Sequence, residues 1–268
     1  MCQRLCRSIC CIRFSALPTG CEIKMADPHF NSTHRPVRQM HHGIRVHPDF
    51  PVPARIEIFT PRTWGDKAVK VSDGGRNTAW YLSTPWGEAV LRHYHRGGLI
   101  SRFVDERYLW ISEERTRSFA EFALLNELHA QGLPVPRAMA ASYQRRGVTY
   151  RAAIMTERLH NTVSLAQAIS RAGPASIRLV EPVSTAIRQL HDANVYHADL
   201  NAHNILVDDA QKIWLIDFDK SSRRPMTASL REQSLQRLGR SLQKLLGEQG
   251  VIFSGQLQQH YQQSGKNR

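Results

Sequence analysis

VYHADLNAHNILVDDAQKIWLIDFDKS, residues 195–221, is the stretch whose reading decides the fold. Its second part, ILVDDAQKIWLIDF at 205–218, sets two apolar runs on either side of a polar turn and predicts a strand, a turn and a second strand. Such a hairpin brings the loop ahead of it, with Asp199 and Asn204, together with the far end of the second strand, which carries Asp217. An acid, an amide and a second acid meeting at one point suit phosphoryl transfer. One carboxylate orients an attacking hydroxyl and accepts its proton, the role expected of Asp199. An amide oxygen and another carboxylate hold Mg²⁺ against the phosphates of ATP, the role expected of Asn204 and Asp217. Singly, each residue has an ordinary reading as a chance match, a turn cap or a paired structural acid. The combination, with the strand pattern around it, is what points to chemistry. His197 is expected to shape the loop through its hydrogen bonds rather than to exchange protons.

Upstream, VKVSDGGRNTAWYLSTPWGEAVLRHYHRGG at 69–98 reads as a strand, a Gly-containing turn, a strand over 79–83, a tight turn at Pro85-Trp86-Gly87 and a strand over 89–94. RIEIFT at 55–60 alternates and predicts a further strand, whereas residues 26–54, rich in His, Pro and Arg, predict an irregular lead-in. In RSFAEFALLNELHAQG, 117–132, Phe119, Phe122, Leu125 and Leu128 recur at helical spacing and Gly132 stands at the expected C-terminal stop. YRAAIMTERL at 150–159 predicts a buried strand; 164–172, 176–194 and 229–247 predict helices, the last amphipathic with Arg231, Arg237, Arg240 and Lys244 on its polar side. Strands come first and helices follow, so the fold class is α+β with two unlike lobes.

The nucleotide side is expected among the strands. Gly74, Gly75 and Arg76 lie in a turn whose backbone N–H groups suit phosphates, although a plain hairpin turn explains the glycines equally well. On the strand AVLRHY, Arg92 is the basic residue expected to reach the α and β phosphates, with Glu121 on the following helix as its partner and Glu127 as the runner-up. Glu157, in Met155-Thr156-Glu157-Arg158-Leu159, marks the strand end expected to meet adenine through backbone groups.

Composition bounds the partners. Lys and Arg number 36 against 23 Asp and Glu, a net charge of +13 that favours anionic partners over polycationic ones. With 41% hydrophobic residues and no apolar run near the roughly 20 residues that cross a bilayer, a folded, non-spanning chain is expected. All five cysteines, Cys2, Cys6, Cys10, Cys11 and Cys21, precede Met25, so no disulfide is expected in the main fold, and their spacing does not suit a metal site. Residues 1–40 are expected to be an extension, disordered or produced by a start assigned upstream of Met25, followed by an N-terminal lobe over 41–157 and a C-terminal lobe over 158–268.

His197-x-Asp199-Leu200-x-x-x-Asn204 and Asp217-Phe218-Asp219 resemble the catalytic loop and metal motif of protein kinases, which implies an antiparallel β-rich N-lobe and, with only 49 residues after Asp219, a shortened helical C-lobe. Asp219 stands where such kinases have glycine, no Ala-Pro-Glu segment follows, and a small or lipid-linked acceptor is expected instead of a peptide. More specifically, HADLNAHNIL (197–206), WLIDFDK (214–220), VLRHYHRGGLI (90–100) and DGGRNT (73–78) resemble the 3-deoxy-D-manno-octulosonic acid (Kdo) kinase family of Gram-negative lipopolysaccharide assembly. The resemblance spans about residues 50–250 and departs at Asn77, where a further glycine is more usual. It implies ATP-dependent phosphorylation of the 4-hydroxyl of Kdo on lipid IV(A), with Asp199 as catalytic residue, at the cytoplasmic face of the inner membrane. Arg92, Arg96, Arg102 and Arg107 are then expected to neutralise the anionic glycolipid, and the basic surface to meet anionic lipid; no nucleic acid is expected as a partner. An atypical protein kinase and a non-catalytic nucleic-acid-binding module remain the rival readings.

Overall fold

The computed structural model describes residues 40–71, 79–94 and 108–264. In its first half, strands β1 (Met40–Val46), β2 (Ala68–Lys70), β3 (Ala79–Thr84), β4 (Gly87–His93), β5 (Tyr108–Leu109), β6 (Ala138–Arg146) and β7 (Thr149–Glu157) form one antiparallel sheet. The order is β1-β6-β7-β4-β3-β2, with β5 also pairing β7. The expected meander is present as β2-β3-β4, and Gly87 closes its tight turn at φ 116°, which a side chain disfavours. β7 lies between β6 and β4, and Ala152, Ala153, Ile154 and Met155 are buried in succession, the burial on both faces expected of a central strand.

The helix α1 (Arg117–Ala130) packs on this sheet through Phe119, Leu125 and Leu128. Two polar fastenings fix it to β6: the Ser118 hydroxyl donates to the Ser142 carbonyl at 2.8 Å, and the Asn126 side-chain amide brackets the backbone of Ala138 at 2.9 and 3.1 Å. Gly132 (φ 79°) ends the helix: its N–H and that of Leu133 return to the carbonyls of His129 and Leu128.

Beyond β7, β8 (Thr162–Ser164) leads to α2 (Leu165–Ala172) and α3 (Val180–Asp192). Two short strands, β9 (Val195–Tyr196) and β12 (Ser222–Arg223), pair with each other around the hairpin of β10 (Ile205–Asp208) and β11 (Ile213–Leu215). The helices α4 (Ala228–Leu246) and α5 (Glu248–Gln263) close the fold. Leu238 and Leu242 of α4 join Phe253 and Leu257 of α5 and Val183, Ile187 and Leu190 of α3 in the core beneath the hairpin. Gly250 lies so close to α4 that a Cβ there would fall 2.2 Å from the Leu242 carbonyl oxygen.

Several expectations need correction. RIEIFT is no strand: Ile56–Phe59 forms a turn of 3₁₀ helix, because neighbouring Ile58 and Phe59 are both buried, which the alternation of a half-buried strand does not allow. The lead-in contains β1, and β6 went unforeseen altogether. The segment 176–194 divides into a 3₁₀ stretch at Gly173–Leu179 and α3, and α5 continues the chain after the expected final helix. Residues 1–39, with the expected extension and its cysteines, lie outside the described residues.

Candidate active site

The loop between β9 and β10 is organised by a buried histidine. His197 is 1% exposed, and its Nε2 donates to the Ile216 carbonyl at 3.0 Å, leaving Nδ1 to accept the Asp199 N–H at 3.2 Å. Burial lowers its pKa, which keeps the ring neutral, and Phe218 packs edge-on against it at 4.7 Å between centroids. The side-chain amides of Asn204 and Asn201 donate to the Asp199 carbonyl at 2.9 and 3.2 Å, so the loop folds back on itself. These contacts fix the Asp199 backbone while its carboxylate stays open, 58% exposed. The Ile216 N–H donates to the Asn204 carbonyl at 3.0 Å, extending the β10–β11 register and setting Asp217 one residue beyond the position opposite Asn204. The charges of Asp217 and Asp199 both oppose this lowering of the His197 pKa.

Arg92 ties this loop to the sheet. One arm of its guanidinium pairs with Glu121 and the other with Asp217. Burial works against the Arg92 charge, but Glu121 and Asp217 outweigh it and raise its pKa. Glu121 is 3% exposed: it accepts the Tyr94 hydroxyl at 2.5 Å and the Phe218 N–H at 3.2 Å. Burial raises the Glu121 pKa, against the opposing pull of Arg92. The next acid, Asp219, meets Arg117 at 2.8 Å, and that guanidinium lies 4.1 Å over the Tyr108 ring. Burial raises the Asp219 pKa, with Arg117 opposing.

The structure thus joins Arg92, Glu121 and Asp217 directly, and sets Asn204 and Asp199 on the adjoining loop. Glu127 is exposed and pairs with Arg223 at 2.7 Å. The Glu157 carboxylate pairs with Arg137, and among the described residues no hydrogen bond or ion pair links it to the Arg92 group. Gly74, Gly75, Arg76, Arg96, Arg102 and Arg107 lie outside the described residues. No cluster of three His, Cys, Asp or Glu side chains able to hold a metal occurs among the described residues. Magnesium needs none when phosphates complete its shell, and the Asp217 carboxylate and Asn204 amide oxygen are the hard donors it takes. With the Asn204 nitrogen committed to Asp199, that oxygen is the end left for a cation.

Residues 62–261 match the lipopolysaccharide kinase (Kdo/WaaP) family. The chain belongs to that family. It is 48% identical over 198 residues to the 3-deoxy-D-manno-octulosonic acid kinase of Stenotrophomonas maltophilia strain K279a, covering 74% of this chain and 79% of that one. It is 49% identical over 194 residues to the protein of the same name from Xanthomonas euvesicatoria and 47% to that from Xylella fastidiosa strain M12, each covering 72% of this chain and 77% of the relative. The sheet-first, helix-second arrangement is accordingly the α+β, two-lobed protein-kinase-like fold of a family kinase.

Within this kinase, sequence reading passed over Tyr94 and Arg117 and left Arg237 on the polar side of its helix, with no link to Asp199. Tyr94 follows Arg92 by two residues and so shares its side of an extended chain, and Arg117 precedes Glu121 by four, one turn along the same helix face. Both spacings were available signals. Arg237 meets Asp199 from α4 across 38 positions of sequence, a pairing that no local pattern announces.

Proposed function

We propose that the protein transfers the γ-phosphoryl group of ATP to the 4-hydroxyl of Kdo on lipid IV(A), in lipopolysaccharide core biosynthesis. The observation that carries this reading is the open Asp199 carboxylate, held on a hydrogen-bonded loop beside Asn204 and Asp217, in a chain 48% identical to a named Kdo kinase. Asp199 orients the hydroxyl and receives its proton as the oxygen bonds to the γ-phosphorus; the bond to the β–γ bridging oxygen breaks, and ADP departs. Asn204 and Asp217 hold Mg²⁺, which offsets phosphate charge when bound. Arg92, anchored by Glu121, moves one arm from Asp217 to the α and β phosphates, with Gly74, Gly75, Arg76 and the backbone around Glu157 completing the nucleotide site. The lobes divide at about residues 157 and 158. The net charge of +13 supports a peripheral position on the anionic cytoplasmic face of the inner membrane, and no helix among the described residues is long and apolar enough to cross it.

The direct test incubates purified protein with Mg²⁺-ATP and Kdo-lipid IV(A) and weighs the glycolipid by mass spectrometry. One added phosphate, located at the 4-position by fragmentation, is the expected result. Unmodified glycolipid alongside a phosphorylated protein substrate would sink the proposal in favour of a protein kinase.

A further inference from the structure

We propose that Arg237 is the acceptor-binding cation of this site and holds the carboxylate of the sugar acid while a ring hydroxyl lies against Asp199. The proposal rests on the sugar-kinase reading above and adds the residue that selects the acceptor. Arg237 Nη1 lies 3.7 Å from Asp199 Oδ1, and the two side chains are 44% and 58% exposed. A long, wet pair of this kind adds little to stability. Nor does α4 need it for docking: Leu235, Leu238 and Leu242 are buried, and the Ser241 hydroxyl accepts the Ala202 N–H at 3.2 Å. The guanidinium is therefore held beside the reacting carboxylate by a helix that is already anchored.

Four other cations among the described residues are committed elsewhere. Arg92 bridges Glu121 and Asp217, Arg117 pairs with Asp219, Arg223 with Glu127, and Arg231 with Asp192. The loop from His197 to Asn204 contains no Lys or Arg, and among the described residues only Arg237 forms an ion pair with Asp199. An acidic acceptor that brings its hydroxyl to Asp199 enters a cleft already holding carboxylates and, during reaction, a triphosphate. A cation on the acceptor side offsets that repulsion, and a guanidinium fork matches a carboxylate in two parallel hydrogen bonds. In a 2-keto sugar acid the carboxylate lies a few bonds from the ring hydroxyls, so one bound sugar reaches both residues. Acceptor binding then exchanges the loose Arg237–Asp199 contact for a bidentate one and frees Asp199 to take the hydroxyl proton.

The test compares wild type, Arg237→Ala and Arg237→Lys on Kdo-lipid IV(A) and on the same glycolipid with its sugar carboxyl methylated. On the acid, Arg237→Ala should raise the acceptor KM about ten-fold or more, the KM for ATP should not move, and Lys should fall between. On the ester, wild type should lose the same factor and Arg237→Ala should lose nothing further. An unchanged acceptor KM, a parallel rise in the ATP KM, or an equal penalty on acid and ester would each overturn the assignment. If Arg237→Ala fails to fold, Arg237→Gln supplies the same acid-to-ester comparison, with thermal melting as the control. A wild-type enzyme that phosphorylates neither glycolipid would instead refute the sugar-kinase reading itself.

Discussion

Removing the Asp199 carboxylate takes away the proposed proton acceptor but none of the contacts that hold the loop, because His197, Asn201 and Asn204 all engage its backbone. Asp199→Ala is therefore expected to lower turnover by about 10²–10⁴-fold while leaving nucleotide affinity intact. Steady-state assays beside a fluorescent-nucleotide titration check this, and retained turnover would dismiss Asp199 from the role. Arg92 differs, since its loss leaves the 3%-exposed Glu121 facing only Tyr94 and a backbone amide. Arg92→Ala should weaken ATP binding and also cost about 3 kcal/mol of stability, as breaking a buried pair does. Arg158→Ala, which removes an exposed pair to Glu88, should cost under about 1 kcal/mol in the same urea titrations. A third effect concerns pH. His191 is fully buried with its Nδ1 2.8 Å from the Tyr261 hydroxyl, and burial, aided by Arg231, pushes its pKa down to about 4. Between pH 6.5 and 4 the unfolded chain binds the proton that the folded chain refuses, so stability falls as pH falls, by about 2 kcal/mol at pH 5 from this group. His197, shifted in the same direction, adds to the slope. Urea midpoints at pH 7 and pH 5 measure it, and His191→Gln should flatten the difference.

At the scale of helices and strands, Gly250 and Gly255 offer a matched pair within α5. A methyl at 250 would meet the Leu242 carbonyl oxygen, whereas one at 255 meets nothing within 4 Å. Gly250→Ala should force α4 and α5 apart and lower the melting temperature, while Gly255→Ala should raise it through about 1 kcal/mol of helix propensity. Thermal melts of the two variants decide the matter. The same elements show what could be read in advance. The β10–β11 hairpin, the β2–β4 meander and α1 carry strong local patterns, and the structure has all of them. By contrast, β6 is written AMAASYQRR, and its small residues, poor strand formers in isolation, suit a strand enclosed by α1 and its neighbours, where a larger side chain has no room. α5 hides for a similar reason: two glycines and a run of glutamines weaken its helical signal, and it is packing on α3 and α4 that stabilises it. Pairings such as Arg117–Asp219 and Arg237–Asp199 depend on the finished fold, and sequence spacing does not contain them.

For the whole molecule, Arg92 matters beyond its charge, since one guanidinium joins β4, α1 and the segment after β11. The surplus of positive charge acts at the same scale. Binding to vesicles containing anionic lipid is expected to be measurable at low ionic strength and to fall steeply as salt approaches 0.5 M, while neutral vesicles should bind little; flotation assays check both, and salt-independent binding would point to an inserted apolar segment instead. Asp217, finally, has a backbone φ of 63°, a conformation that aspartate, asparagine and glycine reach more readily than other residues. Glycine there would relax the bend but lose the oxygen; alanine would lose the oxygen and strain the bend; asparagine would keep the shape with a neutral donor. The corner of the chain and the proposed grip on the cation thus fall to one side chain, which leaves position 217 little freedom to vary for one purpose without touching the other.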